Sequence, residues 1–145
     1  MVFRAFDDLI EKYLDRCLEI LKEHGYLKKI YIAGPMSGYP EFNFPAFFGA
    51  QKKLEEKGWY VFNPANKPDE EQLKQSGSFV TGDAKAAIAG GFDFREAYTW
   101  DVTKVIEADG IYMLRGWEQS PGARGEHAVA VAMKKHYPDY EIIYE

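Results

Sequence analysis

Two carboxylates in this sequence occupy positions where helical spacing puts apolar neighbours. Glu126 lies in "SPGARGEHAVAVAM", with Ala123 three residues before it and Val129, Ala130 and Met133 three, four and seven after. Such a set shares one helix face. Asp101 is bordered in the same way by Tyr98, Val102 and Val105. A buried charge without partners costs several kcal/mol, so each acid requires a partner or a task. For Glu126 the plain alternative is an ion pair to Arg95, Arg115 or Arg124; for Asp101 it is a place at the edge of its stripe. Asp109 follows a helix exit, where Asp is common in turns, and ranks third.

The residues before Glu126 narrow the chemistry. Ser120-Pro121-Gly122-Ala123 reads as a helix start, with a hydroxyl cap, Pro at the first helical position and small residues after it. Gly122 and Ala123 leave the first amides open, and a helix start with bare amides attracts anions; ordinary capping is the equal alternative. Two partly buried acids near one crevice are the equipment of glycosidic bond cleavage, in which one carboxylate attacks the anomeric carbon while other groups assist the leaving group. Tyr31, Phe42, Phe44, Trp100 and Trp117 fall on or beside the same loops, where they either stack on a base or fill core.

Other chemistries have less support. His24, His127 and His136 share no metal-ligand spacing with Cys17, and no metal or organic cofactor is expected. There is no phosphate-loop or dinucleotide fingerprint after the first strand, and no nucleophile elbow for a serine triad. The net charge of −5 argues against a protein that grips long nucleic acid by its phosphates.

The acids have to be positioned by alternating strands and helices. An amphipathic helix is predicted over 6–24, with Phe6, Leu9, Ile10, Tyr13, Leu14, Cys17, Leu18 and Leu21 on its apolar stripe and Gly25 as its stop. This reading places Cys17 in the core. "KKIYIAG" (28–34), "WYVF" (59–62), "GIYML" (110–114) and "YEIIYE" (140–145) read as strands, and 43–58, 94–108 and 121–135 as helices. Residues 63–93 are polar and turn-rich, with two turns of helix over 83–89. The alternation implies an α/β fold, a flavodoxin- or Rossmann-like parallel sheet of about five strands covered on both faces, plus the extra N-terminal helix. Ligands in such folds bind beyond the carboxyl ends of strands. The binding candidates are therefore Gly34, Pro35, Met36, Ser37, Phe42 and Asn43 in the first loop, with Asp109, Trp117, Ser120, Gly122 and Ala123 around the third strand.

At 145 residues, 46% hydrophobic and 28% charged, the chain has the composition of one ordinary globular domain. A single cysteine forbids an internal disulfide. No stretch reads as a signal peptide or spanning segment. A cytoplasmic protein without membrane contact is expected.

Three stretches, "YIAGPMSG" (31–38), "WDVTKVIEADGIYML" (100–114) and "SPGARGEHAVA" (120–130), resemble the nucleoside 2-deoxyribosyltransferase superfamily, which includes the 2′-deoxynucleoside 5′-phosphate N-hydrolases. The resemblance runs from about residue 29 to 145 and leaves the first helix as an addition. It implies a flavodoxin-like fold, a homodimer or higher homo-oligomer, and cleavage of the N-glycosidic bond of a (deoxy)nucleoside or nucleoside 5′-monophosphate. It also implies roles: Glu126 as the nucleophile at C1′, Asp101 as its acidic partner, Tyr31 lining the sugar site and Ser120 near the 5′ group. Hydrolysis stands ahead of base exchange, and a catalytically silent nucleotide-binding module is the rival from another class.

Overall fold

Strand β1, Lys29–Ala33, is the axis of the computed structural model, which describes residues 2–23, 27–67 and 78–145. Its run Ile30–Ala33 is buried on both sides, as expected of a central parallel strand. Strand β2 (Tyr60–Phe62) pairs along one edge of β1 and β3 (Gly110–Met113) along the other, with β4 (Glu141–Tyr144) beyond β3. All pairings are parallel, in the order β2-β1-β3-β4. The sheet thus has four strands where about five were expected: each of the four β-rich runs supplies one strand, and no other described segment joins them.

Side chains of a strand alternate between faces, and β1 feeds two cores. Ile30 and Ile32 pack with Phe44, Phe47 and Leu54 of helix α2 (Phe44–Glu56), whereas Tyr31 and Ala33 turn to the other face. There they meet Val105 of helix α4 (Phe94–Glu107) and Ala130 of helix α5 (Pro121–His136). A short helix, α3 (Ala84–Ala89), is capped by Asp83, whose carboxylate accepts from the Ala86 amide at 3.1 Å; it fulfils the helical turns expected over 83–89. Residues 68–77 of the long polar connection lie outside the described residues.

The first helix forms over Val2–Glu23 (α1), four residues earlier than the expected start at Phe6, and the expected core place of Cys17 is corrected. Cys17 is exposed, and Ile10, Leu14 and Leu18 are 50%, 49% and 37% exposed. Both faces of the sheet are already covered, by α2 on one and by α4 and α5 on the other, which leaves the stripe of α1 no core face to fill. The Gly25 stop, His24 and the side chains of Phe6 and Leu9 fall outside the described residues. No described helix is long and apolar enough to cross a membrane.

Candidate active site

The carboxyl ends of β1 and β3 open onto a cavity of about 380 Å³, within the size range of small-molecule sites. It forms where the chain leaves β1 toward β2 on one side and β3 joins on the other, the switch point at which open parallel sheets hold ligands.

Helix α5 delivers Glu126 to this cavity. Its start is built as the sequence indicates: Ser120 Oγ accepts from the Ala123 amide at 3.2 Å, and Pro121 takes the first helical position. One and a half turns later Glu126 faces β1, 5% exposed, and the Tyr31 hydroxyl donates to its Oε2 at 2.6 Å. Among the described residues the acid has no ion pair to Arg95, Arg115 or Arg124; its partner is a buried phenol. Glu126 is held there by close helix packing: the Tyr98 hydroxyl lies against Gly125, where a Cβ would collide with it, and donates to the Gly122 carbonyl at 3.4 Å.

Helix α4 delivers Asp101, which lines the same cavity. Lys67 donates to Asp101 Oδ1 at 3.2 Å and to the Ala97 carbonyl at 3.4 Å, with its Nζ 4.9 Å from the centre of the Trp100 ring. The lysine is itself buried, 8% exposed. Sequence reasoning missed it, since a Lys in the turn-rich "NPANKPD" reads as solvated surface. The only available signal was indirect: a buried acid on α4 must find a cation somewhere.

The electrostatics follow from burial. The Glu126 carboxyl is pushed up to about 8, first by desolvation and then by the negative charge of Asp101, against the opposing effects of the Tyr31 hydrogen bond and Lys67. Asp101 is raised by burial and drawn back by Lys67 and by Tyr31. The Tyr31 phenol is raised well above its ordinary range by burial and by both carboxylates. A carboxyl that changes charge near neutral pH, beside a phenol and an ion pair, is equipped to attack an electrophilic carbon or to move a proton.

Of the other expected site residues, Gly34, Pro35, Met36, Ser37 and Phe42 line the cavity from the β1 loop, and Ser120, Gly122 and Ala123 from the start of α5. Asn43 stands one layer behind, donating to the Pro35 carbonyl at 3.0 Å. Tyr31 reaches the site through Glu126. Two residues are placed elsewhere. Asp109 is at the opposite end of the sheet, where its carboxylate accepts from the Lys29 amide at 2.8 Å and clips the start of β1. Trp117 packs against His127, with ring centres 4.3 Å apart and the rings tilted by 32°, on the side of α5 turned toward Tyr144 of β4. Phe44 belongs to the α2 core. The apolar wall comes instead from Ala84, Ala87 and Phe92, which no spacing in the polar 63–93 stretch marked, and from Phe94 at the start of α4, whose place on the apolar side of that helix was expected.

Among the described residues no cluster of His, Cys, Asp and Glu is arranged to hold a metal ion. No curated protein and no solved structure matches the chain. Residues 28–137 match the family model described as a domain of unknown function, DUF4406, and since that span is most of the chain, the protein belongs to this family.

Proposed function

We propose that this protein is an N-glycosidase-like enzyme that cleaves the N-glycosidic bond of a (deoxy)nucleoside or nucleoside 5′-monophosphate, in the manner of the nucleoside 2-deoxyribosyltransferase superfamily that its motifs resemble. The observation that carries the reading is a pair of acids in one cavity: Glu126, hydrogen bonded to Tyr31 at 2.6 Å, and Asp101, both lining a space of nucleoside size. The Glu126 carboxylate attacks C1′, and the C1′–N bond breaks with its electron pair leaving on the base, which takes up a proton from solvent. Water then attacks C1′ of the glycosyl-enzyme, giving its proton to solvent, breaking the C1′–O bond to Glu126, returning the carboxylate and releasing the sugar. Tyr31 holds Glu126 in line, and the negative charge of Asp101 stabilises the cationic character that develops at the sugar. The apolar wall of Phe42, Phe92 and Phe94 offers a face for the base. The same reading makes the working unit a cytoplasmic homodimer, for which the exposed apolar residues of α1 are the supporting feature.

The test is a panel of nucleosides and nucleoside monophosphates, each assayed for free base by chromatography with wild type and with Glu126→Ala. Base release by wild type, lost by at least about a thousandfold in the variant, is the expected result. Binding without release from any member of the panel would reduce the protein to a nucleotide-binding module.

A further inference from the structure

Lys67 stands out among the described residues that line the cavity as the cation, and its surroundings fix it in place. The turn that precedes it, Pro64–Asn66, is tied down at its start: Asn63 accepts from the Ala65 amide at 2.9 Å and donates to Gln51 of α2 at 2.8 Å. Its side chain then runs along α4, meeting Ala97 and Asp101, which are four residues apart on one helix face, and the Trp100 ring. Such a buried, compact ammonium with three contacts on one helix is a fixed point charge. Among the described residues, the titratable groups lining the cavity with it are Tyr39 from the β1 loop, Tyr98 and Asp101 from α4 and Glu126 from α5, with Tyr31 of β1 bonded to Glu126.

We propose that Lys67 is a positioning residue that divides charge between the two acids, holding Asp101 as the anion and leaving Glu126 as the group that gains and loses the proton. This deepens the glycosidase reading and rests on it for its catalytic meaning. The acids differ in what holds them: Asp101 has the ammonium at 3.2 Å and also draws on the Tyr31 phenol, whereas the hydrogen-bond partner of Glu126 among the described residues is that neutral phenol, at 2.6 Å. A cation stabilises ionised carboxylates within reach, the nearer one more strongly. Without it, two desolvated acids share a cavity whose described lining holds no other lysine or arginine, and each resists ionisation. The nucleophile would then be ionised only at higher pH.

The experiment follows the two carboxyl carbons by NMR titration of protein labelled with ¹³C-carboxyl Glu and Asp. The Glu126 signal is assigned by its loss in Glu126→Gln and the Asp101 signal by its loss in Asp101→Asn. In Lys67→Met both midpoints rise, by about one pH unit or more, and Lys67→Arg restores most of the shift; where base release is measurable, the acid limb of the kcat/KM profile moves with Glu126. A Glu126 midpoint unchanged in Lys67→Met, or not restored by the arginine, overturns the proposal. If Lys67→Met does not fold, the comparison is made in the Asp101→Asn background, where losing the lysine orphans no anion: the Glu126 midpoint again rises, and its failure to move is the overturning result. The titration needs no substrate, so a nucleoside panel without base release would sink the glycosidase reading and still leave the role of Lys67 decided by the midpoints.

Discussion

Burying Glu126 has a thermodynamic consequence that is independent of any substrate. Its carboxyl is shifted from the ordinary 4.5 to about 8 in the folded protein, so the native state retains a proton that the unfolded chain releases. The unfolded state then binds fewer protons, and stability falls as pH rises through this window; above about 8 the buried charge costs a few kcal/mol. Glu126→Gln keeps the shape and still accepts from Tyr31 but cannot ionise. Thermal melts across pH 5 to 9 (roughly the span of the shift) should show wild type losing stability toward alkaline pH and the variant holding level, with the variant more stable at the alkaline end. Parallel curves for the two proteins would mean that Glu126 is not held protonated. That an isosteric change at a proposed nucleophile should stabilise the fold is the usual signature of a group retained for chemistry. The anomaly itself was legible in the spacing of "ARGEHAVAVAM"; its partner was not, because Tyr31 is 95 residues away in the chain.

At the scale of elements, the cavity depends on two loops braced against each other. The Gly38 amide donates to the Gly82 carbonyl at 2.7 Å and the Glu41 amide to the Val80 carbonyl at 3.3 Å. Gly82 has a φ of +70° and packs so closely on Tyr39 that a Cβ would overlap its carbonyl oxygen. Gly82→Ala is therefore expected to cost about 2 kcal/mol or more in urea unfolding, and to speed amide exchange over residues 36–43. Unchanged stability would show that the two loops are not coupled. Within the same loop Glu41, Phe42 and Asn43 all take left-handed backbone angles, φ 55°, 51° and 61°, a conformation that costs non-glycine residues energy. It is held by the buried Phe42 ring and by the Asn43 bond to Pro35. "PEFN" carries no glycine to announce such a turn and reads as the entry to α2. The start of α5 is the opposite case, since the Ser120 hydroxyl accepts from the Ala123 amide and Pro121 has no amide to satisfy, so the signal is local and needs no tertiary help to be recognised.

For the whole molecule the feature that bears on assembly is the apolar stripe of α1. Its helical period is unambiguous, yet Ile10, Leu14 and Leu18 are a third to a half exposed. In proteins most helical stability comes from packing an amphipathic face, and the proposed homodimer supplies cover for the stripe. Light scattering on the full chain should therefore give the mass of a dimer, and Leu14→Lys with Leu18→Lys should halve it while the melting of the sheet domain stays within a few degrees. A wild-type monomer, or a variant dimer, would place the interface elsewhere or remove it.

The sequence alone settled whatever depends on near neighbours in the chain. Helical period, capping residues and short β-rich runs are local physics, and they located the four described strands, the starts of the helices after the first and the two acids whose burial needed explaining. The parallel α/β architecture followed, because strands alternating with helices have few ways to cover both faces of a sheet. The tertiary structure alone decided which groups share the cavity. It brought Lys67 to Asp101 and Tyr31 to Glu126, sent Asp109 to the far end of the sheet and Trp117 to the outer side of α5, and left α1 off the core. These are contacts between residues far apart in the chain, fixed by strand order and helix packing, and no spacing along the sequence encodes them.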